Sequence, residues 1–465
     1  MAATDIQITV VSSLFILFGG IGPIFWASIS EYYHIRRFLY LVALLVFFGA
    51  SIGCALANNI YVLIVLRCIQ SVGTSVTMSV GAGTVADCWQ ITERGSAFSY
   101  LFVGQFIGPL IGPIVGGGLI TATNWRSVFW LCAGYGLFLF VFFFFLFPET
   151  YRLDHQWDQT LPTILESQTT LTNTAEGNHI AHQRQQPVRK IDMSITMSNS
   201  SNAEYKEVTL THKNKEALQT ATTTATDDHS TFNPFRSFAM MQYAFVCFVA
   251  IEIGFCFGTM FTLETLIPDL YYIHYGFDSW QTGLSFIGAG IGNVLGSVIS
   301  GKLSDYLLIR ASRKRGGISK AEDRLTLNAW PGGFFLIPLG VLLFGWSIMA
   351  KFSVWPAIIG FSILCFGMSQ VYTAGSAYLV DSVPGKGASV TAACNFFRMI
   401  MAAILSFISP IMGSALSIGY VSILLASLNV IGMSLLVFIK FKGIHMRRKA
   451  GFAESKAEEA NENNT

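Results

Sequence analysis

The chain has few charged residues for its length. Only 12% of its 465 residues are Asp, Glu, Lys or Arg, whereas 52% are hydrophobic. A soluble protein of this size needs more charge to cover its surface, so the composition excludes that class. The net charge of +2 is too small, and the basic residues are too dispersed, to favour binding of nucleic acid.

The sequence also lacks motifs for metals and nucleotides. Its eight cysteines occur singly, within or beside apolar segments, without the paired spacing of a zinc site. No Gly-rich loop followed by Lys and Ser or Thr is present to cradle the phosphates of a nucleotide. We therefore expect no catalytic residue, no metal and no cofactor, and we do not expect an enzyme.

Long apolar segments, by contrast, are abundant. A helix of roughly 20 residues crosses the hydrocarbon core of a bilayer. Eleven apolar segments have about that length, at 7–30, 38–58, 60–86, 97–120, 127–147, 238–266, 281–301, 329–350, 354–380, 388–414 and 418–440. They predict an all-α protein that crosses the bilayer many times.

The apolar segments fall into two groups, separated by a polar region. Residues 151–236 are rich in Thr, Ser, Asn, Gln and His and cannot form a buried core, so we predict a disordered cytoplasmic linker. It divides the chain into a half at 1–150 with five spans and a half at 237–446 with six. Residues 447–465 are the predicted cytoplasmic tail.

Lysine and arginine determine the orientation in the bilayer. If the linker faces the cytoplasm, so do 25 of the 29 basic residues, and only Arg126 and Lys351 lie outside. Five spans before a cytoplasmic linker then put the N-terminus outside. The simpler interpretation is that one N-terminal helix is missing from a plan of six plus six. A true eleven-helix protein with an external N-terminus is the alternative.

A short motif recurs at the inner end of the first and the seventh span. Its copies read Ala-Ser-Ile-Ser-Glu31 and Gly-Lys-Leu-Ser-Asp305, and arginines follow each copy, at Arg36 and Arg37 and at Arg310. Recurrence at corresponding places in two half-chains is typical of the internal repeats of transporters. The alternative is that each acid is only a solvated charge in a loop, and the recurrence of the motif argues against that explanation.

With this motif the chain resembles the major facilitator superfamily, whose loop between helices 2 and 3 reads G-x-L-x-D-R-x-G-R-R. The first copy departs from that pattern, with Ala27 for Gly, Glu31 for Asp, Tyr32 for Arg and His34 for Gly. The resemblance implies two six-helix halves, and it implies that the acids and arginines of the motif clamp the cytoplasmic ends of helices from both halves. The first span then corresponds to family helix 2, so that helix 1 is the absent one.

Two further motifs in the first half extend the resemblance. Arg67 and Gln70 belong to a segment like the family's R-x-x-Q-G-x-G, with serine in place of its first glycine. A second segment resembles the antiporter motif of drug–proton exchangers; its residues are Gly108, Gly112, Pro113, Gly116 and Gly117. Close helix packing at small residues is the alternative explanation of that spacing.

Matches in the second half indicate a branch of the family. The run Tyr-Leu-Val-Asp-Ser-Val-Pro at 378–384, followed by Asn395 and Arg398, resembles the fungal twelve-helix drug–proton antiporters. The resemblance covers nearly all of the chain outside the linker and the tail. It is nearest to the quinidine-resistance and dityrosine-exporter branch.

Few charges lie within the spans, and each is a candidate for a part in transport. Arg67 lies roughly 12 Å from the start of its helix; an arginine at depth costs at least about 2.5 kcal/mol, so we expect it to face a cavity or to hold backbone carbonyls. We expect Glu252 to be a proton or cation site whose pKa Arg67 adjusts; a static ion pair between the two residues is the alternative. Asn395 and Arg398 either contact substrate or join the halves.

These features predict a proton-coupled exporter of small drug-like compounds, cationic or amphipathic, that works by alternating access. A nutrient facilitator or proton symporter is one alternative, and a family member that does not transport is another. The expected partners are the small-molecule substrate, protons and the lipid bilayer. We expect a multi-pass protein of the plasma membrane that acts as a monomer.

Overall fold

The structure is a computed structural model that describes residues 5–150, 234–315, 320–325, 329–383 and 386–452. Six helices form the first half: α1 Asp5–Tyr33, α2 Arg37–Leu56, α3 Ile60–Thr74, α4 Val76–Cys88, α5 Arg94–Ala122 and α6 Arg126–Leu146. Helices α3 and α4 make one span that bends at Ser75. The carbonyl of Val72 accepts bonds from the Ser75 hydroxyl (2.7 Å) and the Trp26 indole (2.9 Å), which disturbs the helical hydrogen-bond ladder at the bend.

The second half also has six long helices: α7 Ala244–Tyr275, α8 Ser279–Lys314, α9 Ile337–Met349, α10 Val354–Ser382, α11 Gly387–Ala415 and α12 Ile418–Lys449. Short 3-10 helices precede α7, at Pro234–Gln242, and α9, at Ala321–Leu325. A π-helical turn at Gly332–Leu336 leads into α9. A capping box of Asp278 and Gln281 fixes the start of α8, because it satisfies backbone donors that the first turn leaves free.

The predicted number of spans is confirmed. In the described part of the chain, eleven helices are long and apolar enough to cross a membrane. The predicted linker at 151–236 lies almost entirely outside the described residues, so the structure does not test it.

Two helices run further than predicted. Helix α8 continues to Lys314 rather than ending near 301, and α12 continues to Lys449 rather than ending near 440. Basic residues fill the last turn of each helix, where they complement the negative end of the helix dipole. Asp305 therefore lies on a helix, and residues 447–449 of the predicted tail are helical.

The two halves are packed to different degrees. In the most apolar 18-residue segment of α7, 67% is buried, because α11 and α12 cover it. The corresponding segments of α5 and α6 are only 22% and 11% buried. The largest apolar cluster accordingly belongs mostly to the second half. The halves meet along two seams, one between α1 and α11 and the other between α5 and α8. The candidate site lies along and between these seams.

Candidate functional site between the two halves

The first seam ends at a carboxylate that binds the start of a helix in the other half. Glu31, in the last turn of α1, accepts hydrogen bonds from the backbone N–H (2.9 Å) and the hydroxyl (2.5 Å) of Ser389, in the first turn of α11. Free N–H groups and the positive end of the helix dipole favour an anion at this position. Glu31 therefore forms a latch between the halves at the end of the first seam.

The second seam carries the same device with the halves exchanged. Asp305 of α8 accepts bonds from the N–H of Gly95 (2.9 Å) and from the N–H (2.8 Å) and hydroxyl (2.7 Å) of Ser96, at the start of α5. The aspartate is only 7% exposed. The recurring motif of the sequence thus becomes two reciprocal latches, each an acid of one half that caps a helix of the other.

A buried arginine joins the second latch to a further acid. Arg324 lies on the short helix before α9 and is 0% exposed. Its guanidinium donates to Asp305 (Nη1–Oδ1, 3.0 Å) and to Asp381 (Nε–Oδ2, 2.6 Å), and it reaches the first half at the carbonyl of Ile91 (2.5 Å). Asp381 also pairs with Arg94 of the first half at 3.1 Å. Four charges from both halves therefore form one buried network.

The structure does not assign the predicted clamp role to Arg310. Its side chain is exposed on α8, and it takes no part in the hydrogen bonds or ion pairs given above for Asp305. Arg324 occupies that place instead. It follows Asp305 by 19 residues, and no regular spacing links the two in the sequence.

The arginines of the first motif copy stabilise their own half. Arg36 pairs with Asp87 at the end of α4 (Nε–Oδ2, 3.0 Å) and donates to the carbonyl of Val80 (3.2 Å). The backbone N–H groups of Arg36 and Arg37 both donate to the carboxylate of Glu149 (3.1 Å each). These contacts hold α2, α4 and the end of α6 together beneath the first latch.

The predicted antiporter motif on α5 divides into two faces. A Cβ atom added to Gly117 would lie 2.8 Å from the carbonyl oxygen of Ser279, and one added to Gly283 would lie 2.5 Å from the carbonyl of Pro113. Backbone therefore meets backbone where α5 crosses the start of α8. Gly108, Gly112 and Gly116 turn away from that seam, and a Cβ added to any of them would meet no heavy atom of another described segment within 4 Å.

Between the seams, Arg398 is held by an aromatic cluster, which we define as Phe102, Phe106, Phe257 and Tyr372. The guanidinium carbon lies 4.2 Å from the ring centre of Phe257 and 4.7 Å from that of Tyr372. Tyr372 in turn contacts Phe102 (4.2 Å between ring centres), Phe257 (5.0 Å) and Phe106 (6.2 Å). The cluster draws on α5 of the first half and on α7 and α10 of the second.

Asn395 and Arg398 also bind the first half directly. Nη2 of Arg398 donates to the side-chain oxygen of Asn395 and lies 3.5 Å from the sulfur of Met78 on α4. The amide of Asn395 donates to the carbonyl of Gly19 on α1 (3.1 Å). The two residues predicted to contact substrate or to join the halves therefore lie at the interface.

Arg67 has a different location, inside the first half. It donates to Gln70 (2.9 Å), whose amide donates to the hydroxyl of Ser51 on α2 (2.8 Å). Its guanidinium carbon lies 4.2 Å from the ring centre of Phe15 and 5.6 Å from that of Phe129. Arg67 and Gln70 therefore tie α3 to its neighbours within the half.

Glu252 lies within the second half, between α7 and α12. It is fully buried; Oε1 accepts a bond from the thiol of Cys256 (3.3 Å), and Oε2 lies against the Cα of Gly432, where a Cβ would collide with it. Oε2 has no hydrogen-bond partner among the described residues. The expected pairing of Glu252 with Arg67 is wrong for this conformation, because their partners lie in different halves.

Comparisons with known proteins agree with this architecture. Residues 1–406 match the family described as the Major Facilitator Superfamily. The chain is 26% identical over 96% of its length to the MFS-type transporter phiD of Fungal sp., and it spans 64% of that protein. It is 28% identical over 93% of its length to the MFS antiporter QDR3 of Candida albicans, of which it covers 72%. The solved structure of the proton:xylose symporter XylE shares the fold, with a TM-score of 0.56 at 13% identity over 93% of this chain and 85% of that one.

Proposed function

This chain belongs to the Major Facilitator Superfamily, and from that premise we propose that it is a proton-coupled exporter of small amphipathic organic compounds. The family is one of secondary transporters, and the eleven spans make the chain a multi-pass membrane protein. The predicted family is thereby confirmed, and its fungal relatives agree with the predicted fungal branch. Substrate, coupling ion, direction, the plasma membrane as location and a monomeric state belong to the proposal.

The observation that carries the proposal is the pair of reciprocal latches. Glu31 and Asp305 each cap a helix of the opposite half, so the cytoplasmic end closes through contacts that separate when the halves rock apart. An interface held by such contacts has two discrete arrangements, closed and open, and alternating access requires both. The aromatic cluster and Arg398, between the seams, are then exposed to one side of the membrane at a time.

Export is favoured by the close crossing of α5 and α8. The crossing involves Pro113 and Gly117 of the segment that resembles an antiporter motif, and the similar protein QDR3 carries the name antiporter. A nutrient facilitator or symporter remains the second candidate, because XylE, which shares the fold, is a proton:xylose symporter. The antiporter-like segment favours the first candidate.

For the coupling ion we propose a proton, with Glu252 as its carboxyl group. A carboxyl that takes up and releases a proton must change its surroundings during the cycle. Since Oε2 of Glu252 lies against Gly432, a displacement of α12 relative to α7 would supply that change. Arg67 has no part in this step, because it lies in the other half.

Efflux from whole cells tests the proposal. Cells that express the chain should retain less of a panel of amphipathic drugs than cells that lack it, and an uncoupler should abolish the difference. In proteoliposomes with an imposed pH gradient, Glu252→Gln should abolish gradient-driven transport while exchange without a gradient persists. Asp269→Asn, an exposed carboxylate on the same helix, is the matched control and should transport normally.

For each expected result, a different outcome would contradict the proposal. Accumulation that neither the chain nor the uncoupler affects would refute export and favour a family member that does not transport. Gradient-driven transport that survives Glu252→Gln would remove Glu252 from the mechanism. Uptake of a sugar driven by the same gradient would support the symporter instead.

A further inference from the structure

We propose that Arg398 binds the anionic group of an organic substrate whose flat body lies against the aromatic cluster. This inference rests on the proposed function and narrows it from amphipathic compounds in general to aromatic organic anions. It starts from the hydrogen bonds that this arginine does not make.

The guanidinium of Arg398 is buried with most of its donors unused. Arginine has five N–H donors. Nη2 is directed to Asn395 and Met78, and the guanidinium also interacts with the side chain of Tyr372. Neither Nε nor Nη1 has a partner with hydrogen-bond geometry among the described residues, although Arg398 is only 1% exposed. Buried donors, and buried charges above all, are normally satisfied, so a group left this way is a candidate for binding a ligand.

The positive charge of Arg398 is also not neutralised by the protein. Of the ion pairs in the described ranges, none includes Arg398. Of the acids that the latches bring to the interface, Asp305 and Asp381 pair with Arg324 and Arg94, and Glu31 binds Ser389. Contacts with the faces of Phe257 and Tyr372 offset part of the cost of this charge. A carboxylate or sulfonate would complete the site, whereas a cation would be repelled.

The surroundings of the charge indicate the rest of the ligand. The aromatic cluster presents rings from three helices, and such rings bind planar apolar groups in offset or edge-to-face geometry. Because the rings of Phe102 and Phe106 come from the first half and those of Phe257 and Tyr372 from the second, separation of the halves would open space between them. The amide of Asn395, now bonded to Gly19, would become free at the same moment.

Three probes with one ring system test this inference on the purified full chain in lipid nanodiscs. They are 1-naphthylacetate, an anion; 1-naphthylacetamide, which is neutral; and 1-naphthylmethylamine, a cation. Binding is followed by the fluorescence of the naphthalene ring. We expect the anion to bind at least about tenfold more tightly than the amide, and the amine to bind most weakly.

Substitutions at Arg398 assign that preference to the residue. Arg398→Gln, which keeps a polar side chain without the charge, should make the anion and the amide bind equally. Arg398→Lys should keep most of the preference. Arg126→Gln is the matched control, since Arg126 also lies over an aromatic ring, that of Trp125 at 4.7 Å, but at the outer end of the first half. It should leave the preference unchanged.

Equal binding of the anion and the amine to the wild-type chain would overturn the inference, and so would an anion preference that survives Arg398→Gln. Failure of all three probes to bind would overturn it as well. If Arg398→Gln does not fold, the ranking on the wild-type chain and on Arg398→Lys decides. Cells that export cationic drugs but not naphthylacetate would refute this inference and leave the export proposal intact, whereas loss of all export would refute the export proposal itself.

Discussion

Replacement of Asp305 by asparagine weakens the second latch with the least change in shape. The substitution keeps one carbonyl oxygen, removes the negative charge and turns an NH₂ group towards the donors of α5. In the wild-type chain those donors are the N–H of Gly95 and the N–H and hydroxyl of Ser96, at 2.7–2.9 Å. All three bonds connect the two halves. They are lost when the two halves separate, so their weakening by Asp305→Asn acts on the closed state; the bond from Arg324 to Asp305 lies within the second half and is weakened in both states.

The size of the effect follows from these bonds. A hydrogen bond to a charged group contributes about 1.5–3 kcal/mol, and a buried donor left without an acceptor costs a similar amount. Asparagine weakens three such bonds and sets one donor against another. We therefore expect the closed state to lose about 3 kcal/mol relative to the open one. Since 1.4 kcal/mol is a factor of ten, the open population should rise roughly a hundredfold.

Alkylation of a buried cysteine measures that population. Ser297 is 0% exposed on α8, and its hydroxyl bonds to the carbonyl of Ser99 (3.2 Å). It lies roughly 12 Å along the helix from Asp305, so a reagent reaches it from the cytoplasm only after the seam opens. Ser297→Cys is made in a chain whose eight native cysteines are replaced. Inside-out vesicles are then treated with a membrane-impermeant maleimide, and the rate of labelling is recorded.

A carboxylate in a similar setting within one half provides the control. Glu149 also accepts bonds from the backbone N–H groups at the start of a helix, at Arg36 and Arg37, but donors and acceptor belong to the same half. Glu149→Gln should leave the labelling rate within about twofold of the parent. Equal acceleration by Glu149→Gln, or no acceleration by Asp305→Asn, would show that the latch does not control opening.

Two further predictions concern the seams. Glu31→Gln should accelerate the labelling of Ser297→Cys by about tenfold, which is less than Asp305→Asn because Glu31 is more exposed and its bonds are more screened. The accelerations caused by the two substitutions should multiply in the double variant, since the latches lie on different seams. A double variant that is labelled no faster than Asp305→Asn would contradict this independence. Gly117→Ala should reduce transport by about tenfold, because its methyl group meets the backbone of Ser279. Gly104→Ala on the same helix, where a Cβ meets open space, should transport normally and unfold at the same or a slightly higher temperature; equal loss of transport in both variants would contradict the steric argument.

The spans and the latch acids could be predicted from the sequence because their signals are local. An apolar segment long enough to cross the bilayer must pair its backbone groups internally, so its length alone predicts a helix. Glu31 and Asp305 stand at the end of such segments within a repeated motif, and their position at one end of the molecule followed from that repeat.

The remaining part of the site depends on contacts between distant segments. Arg324 reaches Asp305 from a short helix 19 residues further on, and no periodicity marks it. Glu252 lies on a helix that is apolar on all sides, so the sequence does not indicate which face meets α12. The rings around Arg398 come from α7 and α10, and only the packing of distant helices within the second half brings them together.

The reciprocal latches have a consequence for how the chain could be divided. Each half supplies one acid and receives the other, as two subunits do across a two-fold dimer interface. The surfaces of the two halves therefore recognise each other directly, and their covalent connection keeps the effective concentration of one half near the other high. Fragments 1–150 and 234–465, when co-expressed, should associate in the bilayer and form one complex, a heterodimer of two gene products.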